Sequence, residues 1–470
     1  MPELIISNER TFKNFLRILV FSAAIGGFSD FYGNAILAGV SEPLIKSLGI
    51  TSVQYGAAAG LTYLGGVAGA LSFGYLADLI GRKRTFIMTL VIFIFGVVGT
   101  VFAFNLPSLY FFRILTGYGI GADFAPALGM LSEFTPSYRI GNIKITRGKS
   151  FSLFWAVFVI GGITAFLVSW AFSISHIGLL EWRYALATAV VAPVIALIIR
   201  ARIPEPPRWY IIKNRIEDAK SAAKYIGLDE SVIEGYYIPS LKIKTTKISE
   251  FKPFVFPVLL PLFLAFFLQS IAFTSLTILT PIFLTSLKIS SSNAVLFTAT
   301  AFALPQLIGV MIAFAVIEKL PRRTIAWTGT LCGGISLILI GVFVHTLSIV
   351  PLLIMLVIAD ISNGFVLPVL GGMASEFFSP RTRGTGQGIS TSAFRWSGFA
   401  GGVLSPIIML AYGLSNLFYI YGILAIISFL ISYFWLTKVR VTGQSLENIA
   451  ISFLGHNLKG HSSTEDGQKK

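Results

Sequence analysis

Five ionisable side chains stand inside otherwise apolar stretches of the 470-residue chain: Asp30, Arg113, Asp123, Asp360 and Arg395. Taking a charge into hydrocarbon costs several kcal/mol, so such residues mark proton, ion or solute pathways unless they only tie helices together. Aspartate beside arginine suits proton movement. The guanidinium keeps the carboxylate ionised, and a carboxylate stripped of that partner in a dry setting takes a proton. At ~1.5 Å per residue, Asp30 stands about 21 Å into the first stretch, and Arg113 reaches about the same level on the fourth. The match predicts an Asp30–Arg113 pair that couples a proton, with a static tie between two helices as the alternative. Asp123, three residues before Pro126, is a second proton-site or solute-site candidate, or else a helix–helix hydrogen bonder. Asp360 and Arg395 each lie about 16 Å into neighbouring stretches. Unpaired, Arg395 would anchor a carboxylate or phosphate; paired with Asp360, it would be structural or gating.

A polar stripe adds to this set. Gln269, Phe273, Thr277 and Thr280 recur on one helical face. They read as the lining of a solute cavity, although hydroxyls also serve as packing glue between membrane helices. Trp155, in the fifth stretch, faces the same choice between pocket and core.

These side chains need long helices to hold them. Apolar residues make up 55% of the chain and charged residues only 12%, with a mean hydropathy of +0.80. An average soluble chain is about a quarter charged, so this composition calls for a bilayer. Lipid admits only helices or closed barrels. The apolar runs are continuous and near or above the ~20 residues a helix needs to cross, which selects helices. Twelve spans follow, at about 15–40, 52–77, 85–105, 107–131, 150–174, 182–200, 254–287, 293–317, 324–346, 349–374, 385–412 and 415–437. With the N-terminus inside, 31 of the 36 Lys and Arg fall on the inner side. Lys46, Arg183 and Lys288 fall outside, and Arg113 and Arg395 lie within helices. This asymmetry predicts that both termini are cytoplasmic and that the protein is a multi-pass resident of the plasma membrane. It also accounts for the net charge of +15 without nucleic acid.

The expected organisation is an N-terminal six-helix bundle at 1–200 and a cytoplasmic central loop at 201–252 with a short helix around 208–226. A C-terminal six-helix bundle at 253–440 and a cytoplasmic tail at 441–470 complete it. The two halves echo each other. Asp78-Leu79-Ile80-Gly81-Arg82-Lys83-Arg84 lies between spans two and three, and Glu318-Lys319-Leu320-Pro321-Arg322-Arg323 lies between spans eight and nine. Ser132-Glu133-Phe134 ends span four and Ser375-Glu376-Phe377 ends span ten. Two equivalent halves around a midplane site are a common transporter design. A carboxylate at a helix end facing a basic turn can pair in one conformation and part in another. Asp78, Gly81, Arg82, Arg84, Glu133, Arg147, Glu318, Arg322, Glu376 and Arg383 are therefore the expected gating residues.

The Asp78–Arg84 loop resembles the signature loop of the major facilitator superfamily. Arg113–Gly121, Pro204–Trp209, Arg383–Gly386 and Gly443–Glu447 are similar to segments of its sugar porter, phosphate and aromatic-acid branches. The resemblance implies an all-α membrane fold of twelve helices in two pseudo-symmetric bundles, and transport by alternating access. Gln269 and Pro281 match the sugar porters' seventh helix, whereas Leu268, Ala272, Thr274, Ile278 and Leu279 do not. Phe154-Trp155 replaces their fifth-helix glutamine. Phe28–Tyr32 and Gly121–Phe124 resemble the phosphate branch, but Ser270 stands where its aspartate would be. Phe394–Gly398, with Arg395, resembles the aromatic-acid branch. Tyr32 and Ser270 join the substrate-site candidates on this basis.

The expected function is proton-coupled symport of a small polar solute. An organic anion such as a carboxylate or aromatic acid is slightly favoured by Arg395, with a sugar and then phosphate as alternatives. A non-transporting nutrient receptor is the reading from another class, and the short tail argues against it. No cofactor is expected, and the partners are the solute, the proton and the bilayer, with the chain acting as a monomer. The one cysteine, Cys332, and the scattered His176, His345, His456 and His461 offer no metal spacing or nucleophile cluster. No phosphate-binding Gly-rich loop is present, so an enzyme or ATP-driven pump is not supported. The first apolar stretch lacks a cleavage site and reads as a retained helix.

Overall fold

The computed structural model describes residues 6–135, 146–175, 177–231, 233, 255–286, 290–346, 349–378 and 383–436. The central segment 234–252 and the tail 441–470 lie outside the described residues, as do the side chain of Thr280 and residues His176, His456 and His461.

Several of the membrane helices begin where the sequence supplies a cap. Asn8 caps α1 (Glu9–Gly39), its Oδ1 accepting from the Thr11 N–H at 3.0 Å. Thr51 and Gln54 form a reciprocal capping box at α2 (Ser52–Ile80). After α3 (Arg82–Val101), Asn105 and Ser108 do the same for α4 (Leu106–Phe134). Then come α5 (Arg147–Ser173) and α6 (Glu181–Arg200), the latter tightened by a 3-10 turn at Thr188–Val190.

The second half begins with α7 (Leu260–Ser286), entered through a π-turn at Val255–Leu259. It continues with α8 (Ser292–Val316), α9 (Arg322–Phe343) and α10 (Ile349–Gly372). The helix Arg383–Leu430 is two spans joined at Gly413, whose φ of 82° breaks the helical path. We label its parts α11 (383–412) and α12 (414–435). Among the described residues there are thus twelve membrane-length helices, eleven continuous pieces of which one is doubled. Large apolar side chains such as Phe95, Ile198, Leu410 and Phe434 lie exposed on the outer surface, as lipid contact requires.

Glycines set the closest helix contacts inside each half. Gly65, Gly69, Gly117 and Gly121 bring α2 and α4 together so tightly that any Cβ would overlap the opposing backbone. Gly309 and Gly364 do the same for α8 and α10, so the pseudo-symmetry extends from sequence to packing. Between the halves, α2 runs along α11, where Gly74 faces the Gly384 carbonyl and Gly56 faces that of Gly402. On the other side α5 meets α8 and α10.

The single short helix expected around 208–226 is two, Pro207–Ile212 and Ile216–Tyr225. Asn214, at φ 58°, turns the chain between them. The second is followed by Gly227, whose carbonyl accepts from the Ser7 and Asn8 N–H groups at 3.1 Å. This joins the start of α1 to the central segment.

Candidate functional site

Asp30, on α1, is 2% exposed and forms an ion pair with Arg395 of α11, in the other half. Arg395 donates through both terminal nitrogens, Nη1 to Oδ1 at 3.0 Å and Nη2 to Oδ2. Asn34, one turn on, adds Nδ2–H to the same Oδ1 at 3.1 Å. The guanidinium lies 4.7 Å from the ring centre of Phe124, and its stem passes Gly66 of α2, where a Cβ would come within 2.8 Å of Cδ. The expected Asp30–Arg113 pair is therefore replaced. Equal depth fixes the level of two side chains but not the direction each faces, and Asp30 faces α11. Arg113 is buried near Tyr55 and Tyr63, and its Nε and Nη2 have no hydrogen-bond partner.

The expected Asp360–Arg395 pair fails for the same reason. Arg395 is committed to Asp30, and Asp360, 3% exposed, has an unpartnered Oδ2. Asp123 is committed too. It pairs with Arg200, whose Nη2 donates to Oδ2 at 2.8 Å, and it accepts from Thr89 Oγ1 at 2.9 Å. Arg200 also donates to the Phe86 carbonyl at 2.8 Å and stacks on the Phe86 ring at 3.3 Å. Sequence reasoning counted Arg200 among the loop cations, because it is the last residue of its span. The structure buries it completely.

Aromatic rings fill the middle of the molecule. Phe31, Phe124, Trp155 and Phe158 of the first half meet Phe266, Phe273 and Phe394 of the second; Trp155 to Phe394 is 6.1 Å and Phe31 to Phe273 is 5.6 Å. Trp155 lies over Gly371 of α10, in space any Cβ there would fill, and its Nε1–H has no partner. Tyr32 turns away to Thr188 of α6, with 2.6 Å between the hydroxyls.

The stripe on α7 is buried: Gln269, Ser270, Phe273 and Thr277. Thr277 satisfies itself on the Phe273 carbonyl at 2.9 Å, whereas Gln269 Oε1 and Ser270 Oγ are unpartnered. Two residues that the sequence reading passed over share this condition. Gln306 of α8 and Asn363 of α10 are buried, with both polar side-chain atoms of each unpartnered. Gln306 and Asn363 sit where α8 and α10 touch, since Gly364 lies against the backbone of Gln306. Gln269 Nε2 and Ser362 of α10 both flank Gly333 of α9, at 3.7 and 3.4 Å from its Cβ position. A scan for lone amides within apolar spans would have found both.

Most of the residues expected to gate lie together at one end of the bundle. Glu133 forms an ion pair with Arg82 of its own half and accepts from Arg383 of the other at 2.8 Å. Asp78 stands 3.7 Å from Arg82, but its hydrogen bonds go to the other half, from the Gly384 N–H (3.1 Å), the Thr385 N–H (2.9 Å) and the Thr385 hydroxyl (2.8 Å). In the second half Arg322 pairs with Glu376 at 3.4 Å. Glu318 accepts from Thr146 across the interface at 2.8 Å, beside the start of α5 with its buried Arg147. Arg84, at the same end, has an exposed side chain.

Glu205, another residue the sequence reading passed over, accepts from the Arg82 and Lys83 N–H groups at 2.9 and 3.0 Å and caps α3. Gly81, at φ 105°, leaves the room, since a Cβ would overlap Glu205 Oε1. Burial pushes the Glu205 carboxyl above the ordinary range, and the N–H groups with Arg82 oppose this only in part.

Twelve helices in two like halves, an ion-pair network at one end and charges buried within the bundle, together with the family match reported next, define a multi-pass membrane transporter of the major facilitator fold, not an enzyme. The chain belongs to the sugar (and other) transporter family, whose family model matches residues 19–453. It is 26% identical to the putative metabolite transport protein YwtG of Bacillus subtilis (strain 168), over 94% of this chain and 96% of that one. It is also 26% identical to the glucose transporter GlcP of Staphylococcus epidermidis, over 92% of this chain and 96% of that one. Among solved structures, the proton:xylose symporter XylE bound to 6-bromo-6-deoxy-D-glucose superposes with a TM-score of 0.80. That match is at 18% identity and covers 94% of this chain and 99% of that one.

Proposed function

We propose that the protein is a proton-coupled sugar transporter of the plasma membrane, with one chain supplying the whole path. The observation that carries this reading is the set of buried, unpartnered amides on Gln269, Gln306 and Asn363. A buried polar group without a partner costs about 1–3 kcal/mol, and amides offer a donor and an acceptor together. A sugar hydroxyl needs both, so a bound sugar would relieve several such costs at once. An organic anion, favoured by the sequence alone, needs a fixed cation. Arg395 does not supply one, because Asp30 already matches its charge. The glucose and xylose transporters among the relatives point the same way.

The bundles 1–200 and 253–440 are the moving bodies, joined through 201–252. Lys and Arg concentrate at the end holding the Glu133 and Asp78 contacts, which supports placing that end, and both termini, in the cytoplasm. Asp30 couples the proton. While the halves are together it is ionised on Arg395; when they part it loses that partner and takes a proton. The amides bind solute, and the cytoplasmic pairs open and close the exit.

The test is purified protein in liposomes, with internal pH followed as D-glucose, D-xylose, benzoate, acetate and phosphate are added singly. Sugar-dependent acidification that disappears in Asp30→Asn is the expected result. Acidification driven only by an acid or by phosphate would overturn the sugar reading.

A further inference from the structure

Asp360 is a buried carboxyl that the scheme above leaves unused. It lies near the middle of α10 and is 3% exposed, with Oδ2 making no hydrogen bond. Every other aspartate of the membrane interior has a cation: Asp30 has Arg395, and Asp123 has Arg200. The helices packed on α10 bring it none among the described residues. Arg147 of α5, Glu318 after α8, and Arg322 and Arg323 of α9 are gathered at the gate end. His345 follows the far end of α9. Arg395 of α11 is held by Asp30, and Tyr421 of α12 is turned to Ser405.

An ionised carboxylate so placed would bear its full desolvation cost with nothing to offset it, and such a group adopts its neutral form instead. Asn363 stands one turn further along α10, on the same side as Asp360, and Gln306 adjoins it from α8. A carboxyl that carries a proton can donate to these amides or to a solute hydroxyl; without the proton it can only accept.

We propose that Asp360 is a proton-binding site in its own right, in the half opposite Asp30, so that each transported solute is accompanied by two protons. The proton comes from water on the solute-loading side and forms the O–H bond of the carboxyl. It leaves to water on the other side once the solute has gone. The charge on Asp360 is thus tied to the side on which the amide site beside it opens, whereas that on Asp30 is tied to the approach of the two halves.

The proton on Asp360 can be tested without any solute. Infrared difference spectra of the full-length protein near neutral pH should show a protonated carboxyl band. The band should persist in Asp30→Asn and vanish in Asp360→Asn. In Asp360→Glu, which keeps a carboxyl if the asparagine variant folds poorly, it should shift. A spectrum unchanged in Asp360→Asn overturns the proposal.

The stoichiometry rests on the sugar-symport reading and is measured with D-xylose or D-glucose as the probe. The pH gradient that just balances a sugar gradient in liposomes should correspond to two protons per sugar in the wild type and one in Asp360→Asn. Equal ratios in both overturn it. If neither sugar moves in the wild type, the sugar reading has failed, and the infrared result still decides for or against Asp360.

Discussion

Arg395 reaches from the second half of the protein into the first, past Gly66, and clamps Asp30 through both of its terminal nitrogens. In the proposed cycle the pair joins the two bodies that separate as the path opens, so parting the halves and freeing Asp30 from its cation would be one event.

Removing only the cation leaves a bare buried charge, which costs about 3–5 kcal/mol. Arg395→Met should lower the melting temperature of the purified protein sharply, and adding Asp30→Asn in the same chain should recover most of the loss. Two substitutions that simply add would mean that the ion pair contributes little.

Asp123 and Arg200 make a pair of the same chemistry inside one half. Arg200→Met should cost a similar ~3–5 kcal/mol yet leave the number of protons per solute unchanged, because nothing crosses the interface there. A changed proton ratio would give Asp123 a role in coupling that its position does not suggest.

Replacing Gln306 or Asn363 by leucine removes polar atoms that have no partner within the protein. Stability should hold or rise, while the apparent KM for sugar rises by roughly 2- to 10-fold, equivalent to about 0.5–1.5 kcal/mol for one hydrogen bond. A fall in melting temperature with unchanged KM would make these amides structural.

Gly66→Ala places a methyl group 2.8 Å from Arg395 Cδ. The arginine stem must shift, at a cost of about 1–3 kcal/mol, and the clamp on Asp30 should loosen. The check is whether the alanine variant loses most of its penalty in an Arg395→Met background.

Glu205 gives a pH dependence with a defined sign. Burial raises its carboxyl above the ordinary 4.5 in the folded protein. The neutral form is thus favoured by folding, and that contribution is complete below about 4.5 and declines as pH rises through the raised value. Melting temperature against pH, wild type minus Glu205→Gln, should fall over that window, and a difference that rises would reverse the assignment.

Helix number, span limits and the charged cluster at the Asp78–Arg84 loop were legible in the sequence, because apolar run length and that loop are local signals. Asp30, Asp123, Asp360 and Arg395 stood out for the same reason, as charges inside apolar runs. Their partners did not. Depth along an axis says nothing about which way a side chain faces, and the long Arg395 side chain reaches Asp30 from α11 of the other half. Arg200 was hidden by its place at a span end. Gln306 and Asn363 were hidden because a single uncharged amide barely disturbs the hydropathy of a span.

Asp78 closes its end of the molecule by binding main-chain N–H groups of Gly384 and Thr385 along with one hydroxyl. Main-chain donors are identical whatever residue occupies the position, so charge reversal, the usual remedy for a broken ion pair, has no counterpart here. Revertants selected in an Asp78→Asn strain should therefore not cluster at 384 or 385. They should arise at the far end of the same helix pair, where Gly56 meets Gly402 and Gly60 meets Val403, by weakening the opposing closure until the two ends are again in balance.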